Sequence, residues 1–207
     1  MAKLDTDGLH VDLVPLVKDF HARCGDAGLD LLVYCTVRTG TQQARIWRKG
    51  RSGATIEETI TEARTYQGDI LDGRKEPKPS DIERARAAEQ GIPDLSVFPP
   101  TATDPISVAR FLNWSLGCIL TVGPQTGATV RTNAMPGYSA HQYGVAIDAI
   151  VLQDDKALWD EPDVVQEMGE HGEAAGLEWA GRWKKRFRER VHFQLPDWRK
   201  RIREGTA

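Results

Sequence analysis

The sequence predicts an α+β fold, and two observations carry the prediction. A run of small and β-branched residues, Val145–Val151, reads as a strand, and Val191–Leu195 is a second strand-like setting. Between and before them stand longer stretches whose apolar residues recur at helical spacing. At 207 residues and 40% hydrophobic content, the chain can bury one sizeable core, so a single domain over 1–207 is expected.

Taken in order, Asp12 to Cys24 carries Leu13, Leu16, Val17 and Phe20 on one face of a helix, with Gly25 as its stop. His10 and His21 lie beside or within it, surrounded by no ligand pattern. Gly28 to Arg38 reads as a turn followed by a buried strand that ends at Arg38. Thr41 to Lys49 forms a short helix ended by Gly50. Thr55-Ile-Glu-Glu58 fits a capping box that opens a helix to about Gln67, and Ser80-Asp-Ile-Glu83 fits another, ending before Gly91. Asp72 to Pro79 between them is a polar, proline-rich loop. Asp104 caps a helix with Pro105 at its first position and an apolar face of Ile106, Ala109, Phe111 and Leu112, reaching Leu116. Tyr66, Phe98 and Trp114 read as packing residues in preference to a ligand platform. Cys118 to Val122 reads as a short strand and Gly123 to Gly127 as a turn. Pro162 to Ala174 is a helix that turns Val164, Val165 and Met168 inward, closed by Gly176. The basic tail from Asp197 reads as a final helical turn.

The net charge of -3 and pI near 6.0 disfavour nucleic acid, whose phosphates call for a basic stripe. Cys24, Cys35 and Cys118 are too scattered for a disulfide framework and read as reduced core residues. The N-terminal residues lack an apolar signal core and no run is long enough to span a bilayer, so a soluble monomer made in a cytoplasm, without membrane insertion, is expected.

One stretch carries chemistry. In Ser139-Ala-His-Gln-Tyr-Gly-Val-Ala-Ile-Asp148, a turn bearing His141 leads through Gly144 into a strand bearing Asp148. A carboxylate inside so apolar a run must be paired, hydrogen-bonded or metal-bound, because an unpaired buried carboxylate costs several kcal/mol. His141 can reach it if Gly144 turns the backbone, and zinc accepts both imidazole and carboxylate. A third ligand is then needed, and the other histidine in a strand-like setting is His192. Glu189, three residues earlier, supplies the carboxylate that a catalytic zinc site needs to take a proton from water.

These blocks, Ser139 to Asp148, Gly176-Leu-Glu-Trp179 and Glu189 to Phe193, resemble the zinc D-Ala-D-Ala carboxypeptidase and L-alanyl-D-glutamate endopeptidase family, the LAS peptidases of bacteria and phages. An upstream block, Val33 to Thr39 with Gln43 and Gly50-Arg-Ser52, is similar as well, with Val37 in place of the expected tyrosine. The resemblance implies a small antiparallel sheet carrying the zinc site and flanked by helices, the hedgehog/DD-peptidase type of fold. It implies one Zn2+ on His141, Asp148 and His192, with Glu189 as general base. It places Arg38 on the substrate carboxylate or the developing oxyanion, with Gln43, Ser139 and Trp179 as further substrate contacts. The stretch at about 53–131 departs from the family's short connection and is expected to be a mainly helical insertion. The implied partner is the peptidoglycan stem peptide. The implied activity is an L-alanyl-D-glutamate endopeptidase of the phage endolysin type, released to the wall through a separate pore-forming protein. A D-Ala-D-Ala carboxypeptidase or dipeptidase, and a non-catalytic zinc-containing wall-binding module, are the alternatives.

Overall fold

A computed structural model describes residues 2–92, 103–127, 129–185 and 188–204, the side chains of 202–204 excepted. Phe98 lies outside the described residues. The chain divides into two compact units, one of residues 1–37 and 143–207, the other of residues 38–142.

The first unit holds the sheet. Helix α1 (Leu13–Asp26) buries Leu13, Val17, Phe20 and Cys24 at the spacing expected, and it runs through Gly25. Among the described residues five strands follow it: β1 (Asp30–Cys35), β2 (Ala146–Gln153), β3 (Lys156–Ala157), β4 (Glu178–Trp179) and β5 (His192–Gln194). The sheet is antiparallel in the order β1-β2-β5-β4, with β3 pairing the end of β2. This is the α+β class, with the small antiparallel sheet that the strand-like runs and the resemblance led us to expect. Residues 145–151 are buried without a break, which explains why β2 shows no polar alternation: both of its faces are covered. Helix α6 (Pro162–Ala174) packs on α1 and on β2. Phe20 of α1 meets Phe193 of β5 with ring centroids 4.7 Å apart. A last helix, α7 (Trp198–Glu204), follows β5.

The second unit is helical: α2 (Gly40–Arg48), α3 (Gly53–Leu71), α4 (Pro79–Gly91) and α5 (Asp104–Leu120). The helices α3 to α5 occupy the stretch 53–131. Ala44, Trp47, Ile56, Ile60, Leu116, Cys118, Ile119 and Val122 form a core, with Trp114 against it. Cys118 to Val122 is therefore not a strand. Leu112, Ser115, Leu116 and Ile119 are all buried on α5, so the helical period runs on through residues of high β-propensity, and packing overrides that propensity.

Capping also differs from the sequence reading. Ser52, not Thr55, caps α3, accepting the Thr55 N–H at 3.1 Å. The capping box sits instead on α2, where Thr39 and Gln42 bond reciprocally. Asp104 does not cap α5, because its carboxylate pairs with Arg86 at 2.6 Å. Ser80 is inside α4, which has no side-chain cap bond. Tyr66 donates its hydroxyl to Asp81 at 2.9 Å, consistent with a packing role.

Candidate metal centre

Strand β2 positions the site. Opposite Asp148 stands Cys35 of β1 on one side and His192 of β5 on the other. Directly opposed residues of antiparallel strands project from the same face. A thiol, a carboxylate and an imidazole therefore form one row across the sheet, with Asp148 in the middle.

Oδ1 of Asp148 lies 3.2 Å from Nδ1 of His192, and both side chains are less than a tenth exposed. The other ring nitrogen, Nε2, lies 3.2 Å from Oε1 of Gln194. An oxygen thus faces each nitrogen of the ring, whereas a neutral imidazole has one N–H. Both contacts are satisfied only if the ring carries a second proton or a cation lies between Nδ1 and the carboxylate. Burial pushes the His192 pKa down, but the Asp148 hydrogen bond and charge, the Gln194 acceptor and the charge of Glu189 together outweigh it, and the pKa is raised.

The donor set fits zinc. Two donors bound tetrahedrally at ~2.0–2.2 Å from one ion are about 3.4 Å apart, close to the 3.2 Å between Oδ1 and Nδ1. The sequence motif enters β2 through the 3-10 turn Ala140–Tyr143, which carries His141, 1% exposed. Gly144 follows at φ +67, and a Cβ there would come within 2.5 Å of the Gly8 carbonyl oxygen, so the turn into β2 requires glycine. Cys35 and Asp148, opposed on β1 and β2, each offer a ligand atom, and these atoms lie within 4.8 Å of one another. Asp148 thus has His192 on one side and Cys35 on the other.

Cys35 is the member that sequence reasoning missed. It reads as one more apolar cysteine, and only the β1–β2 register, shifted between Val33 and Cys35, sets it opposite Asp148.

Glu189 is exposed. Its carbonyl accepts the His192 N–H at 3.3 Å and its own N–H donates to Ala180 O at 3.3 Å, so the backbone ties it to the metal-site strand, and its charge is felt at the His192 ring. Arg38 donates its backbone N–H to the His141 carbonyl at 3.2 Å. Its guanidinium lies 3.5 Å from Oε1 of Gln43, a fully buried side chain whose Nε2 donates to Ala134 O at 2.8 Å. Ser139, 8% exposed, accepts the Gln142 N–H through its carbonyl in the 3-10 turn. Trp179, expected to line the substrate cleft, is 4% exposed and stacked over Phe193 at 6.3 Å, with its indole donating to Arg190 O at 2.8 Å. Its ring is used in packing: a Cβ on Gly169 or Gly181 would run into it.

Residues 132–195 match a family model described as D-alanyl-D-alanine carboxypeptidase, of the M15 peptidases. Comparison with curated proteins gave no match. Similar solved structures include VanYB in complex with D-alanine-D-alanine, 13% identical over 96% of this chain and 78% of that one, with a TM-score of 0.40. A second is the vancomycin resistance D,D-pentapeptidase VanY of the VanB-type cassette in complex with Zn(II), 13% identical over 95% of this chain and 78% of that one, also at 0.40. The stretch that carries His141, Asp148, Glu189 and His192 is thus similar in sequence to the M15 peptidases of the D-alanyl-D-alanine carboxypeptidase type.

Proposed function

We propose that the chain is a zinc-dependent peptidase acting on the stem peptide of peptidoglycan, with His141, Asp148 and His192 as metal ligands and Glu189 as general base. The observation that carries this reading is the family match across residues 132–195, which contains all four residues. The buried Asp148–His192 contact at 3.2 Å, which calls for a cation or a second proton, supports it.

When bound, zinc would lower the pKa of water at the site to about 7 and polarise the scissile carbonyl. Glu189 accepts the proton of the attacking water and passes it to the leaving amine. Arg38 binds the substrate carboxylate or the developing oxyanion through its fork of donors, with Gln43 steadying the guanidinium. Ser139 is a further proposed contact. Asp148, buried beside His192, supplies the carboxylate of the ligand set.

Two bonds are candidates. The Gly176-Leu-Glu-Trp179 block favours the L-alanyl-D-glutamate bond, and with it a phage-type lysin delivered through a separate pore-forming protein. The family description favours the terminal D-alanyl-D-alanine bond equally. Mass spectrometry of digested sacculi separates them: new N-terminal D-glutamate marks the endopeptidase, and released D-alanine marks the carboxypeptidase. Glu189→Gln tests the mechanism. It should keep stoichiometric zinc and lose roughly 10²- to 10⁴-fold in rate; full activity with zinc bound would overturn the assignment of the base.

A further inference from the structure

We propose that Glu178 and Gln194 are positioning residues that hold His192 in the tautomer and orientation in which Nδ1 is the metal-binding nitrogen. The proposal rests on the zinc reading above and adds the part of the chain that prepares one ligand for it.

The hydrogen bonds form a chain in which each step dictates the next. The Trp183 indole, which can only donate, reaches Oε1 of Glu178 at 2.7 Å. A carboxylate accepts at both oxygens, so the atom of Gln194 that meets Oε2 of Glu178 at 2.9 Å must be its amide nitrogen. The amide is thereby turned so that its oxygen faces Nε2 of His192, at 3.2 Å. That oxygen can only accept, which places the ring proton on Nε2. Nδ1 is left with its lone pair directed toward Asp148 and the metal position.

The sheet makes this arrangement a consequence of register. Glu178 and Gln194 are directly opposed in the β4–β5 pair, and His192 and Gln194, two apart on β5, share a face. Gln194 and His192 are 7% and 6% exposed, so water does not offer Nε2 an easy alternative partner. The Trp183 ring lies 5.7 Å from the His192 ring and limits its tilt.

Zinc affinity of the full-length chain, measured by competition with a chromogenic chelator, tests the proposal in the wild type, Gln194→Leu and Glu178→Gln. Gln194→Leu should weaken zinc binding by about 10- to 100-fold. Glu178→Gln should move affinity the same way, because an amide at that position can donate to Gln194 and let its side chain turn over, setting N–H groups against Nε2. A second readout is nitrogen-15 NMR of the zinc-loaded protein. The wild type should show a slowly exchanging Nε2–H on His192, and both variants should lose it, a change that a merely structural role would not produce. If Gln194→Leu does not fold, Glu178→Gln, of the same shape as the native side chain, decides alone. Wild-type zinc affinity and an unchanged Nε2–H signal in Glu178→Gln would overturn the positioning role while leaving the zinc reading intact. Failure of the wild type to bind stoichiometric zinc would instead sink the zinc reading, and this proposal with it.

Discussion

Metal-free protein is expected to lose stability as the pH rises through neutrality, and the Asp148–His192 pair is the reason. The His192 pKa is raised in the folded state above its ordinary 6.5. A group of that kind contributes stability that is fully present below the unfolded pKa and lost as the pH climbs through the folded one. One proton limits the slope to about 1.4 kcal/mol per pH unit within that window. Asp148→Asn removes the charge and the strongest acceptor, leaving burial, which lowers the pKa, as the main influence. The variant's slope over the same window should therefore shrink or reverse. Below the window the wild type should be the more stable by about 1.5–3 kcal/mol, the worth of a hydrogen bond to a charged group. The assay is urea unfolding in the presence of a chelator, from about pH 5.5 to about pH 8.5, with constant m-values as the check that only stability has changed. The other histidines are common to both proteins, so the difference between the two curves reports the loss of the Asp148 carboxylate. Saturating zinc should reverse the sign for the wild type, since an imidazole binds metal only when deprotonated. Parallel curves for wild type and Asp148→Asn without metal would refute the reasoning.

Three further outcomes are expected. Gly169→Ala places a Cβ 2.5 Å from three atoms of the buried Trp179 ring, which should cost about 1–3 kcal/mol in denaturant unfolding; a neutral result would contradict the packing role of Trp179. Arg38→Ala should lower kcat/KM on purified peptidoglycan roughly 10²-fold without changing zinc content, and Arg38→Lys should restore only part of it because lysine lacks the planar fork. A thiol reagent should label Cys35 in preference to Cys24 and Cys118, which are buried, and the Cys24 thiol is also pushed up to about 12 by burial and by the charge of Glu167. Zinc should protect Cys35; peptide mapping that shows equal labelling with and without metal would place the ion away from it.

Much of the first unit was legible because its signals are local. Asp148 announces itself as one carboxylate in a run of small and branched apolar residues, and α6 begins and ends where its proline and glycine indicate. The ligand candidates are legible for a similar reason, since each stands in a strand-like or turn-like setting readable from its neighbours. The illegible parts depend on pairing across distance. Nothing near Cys35 says that it will face Asp148, because that follows from the irregular register of β1 on β2. Gln194 and Glu178 look like ordinary polar residues until β4 lies against β5. Trp179 stands in a motif that reads as a site wall, and its packing is equally invisible in the sequence: two glycines leave room for its ring inside the fold. The misread Cys118–Val122 segment shows that residue preference yields to a helical period sustained by burial.

The turn at Gly144 also reaches back to the beginning of the chain. The His10 N–H donates to the Gly144 carbonyl at 2.8 Å, and the Gly8 carbonyl fills the space that a side chain at 144 would need. Residues 8 to 10 therefore brace the bend between the histidine-bearing turn and the aspartate-bearing strand. A substitution or fusion that displaces residues 8 to 10 can therefore disturb that bend without altering His141 or Asp148 themselves.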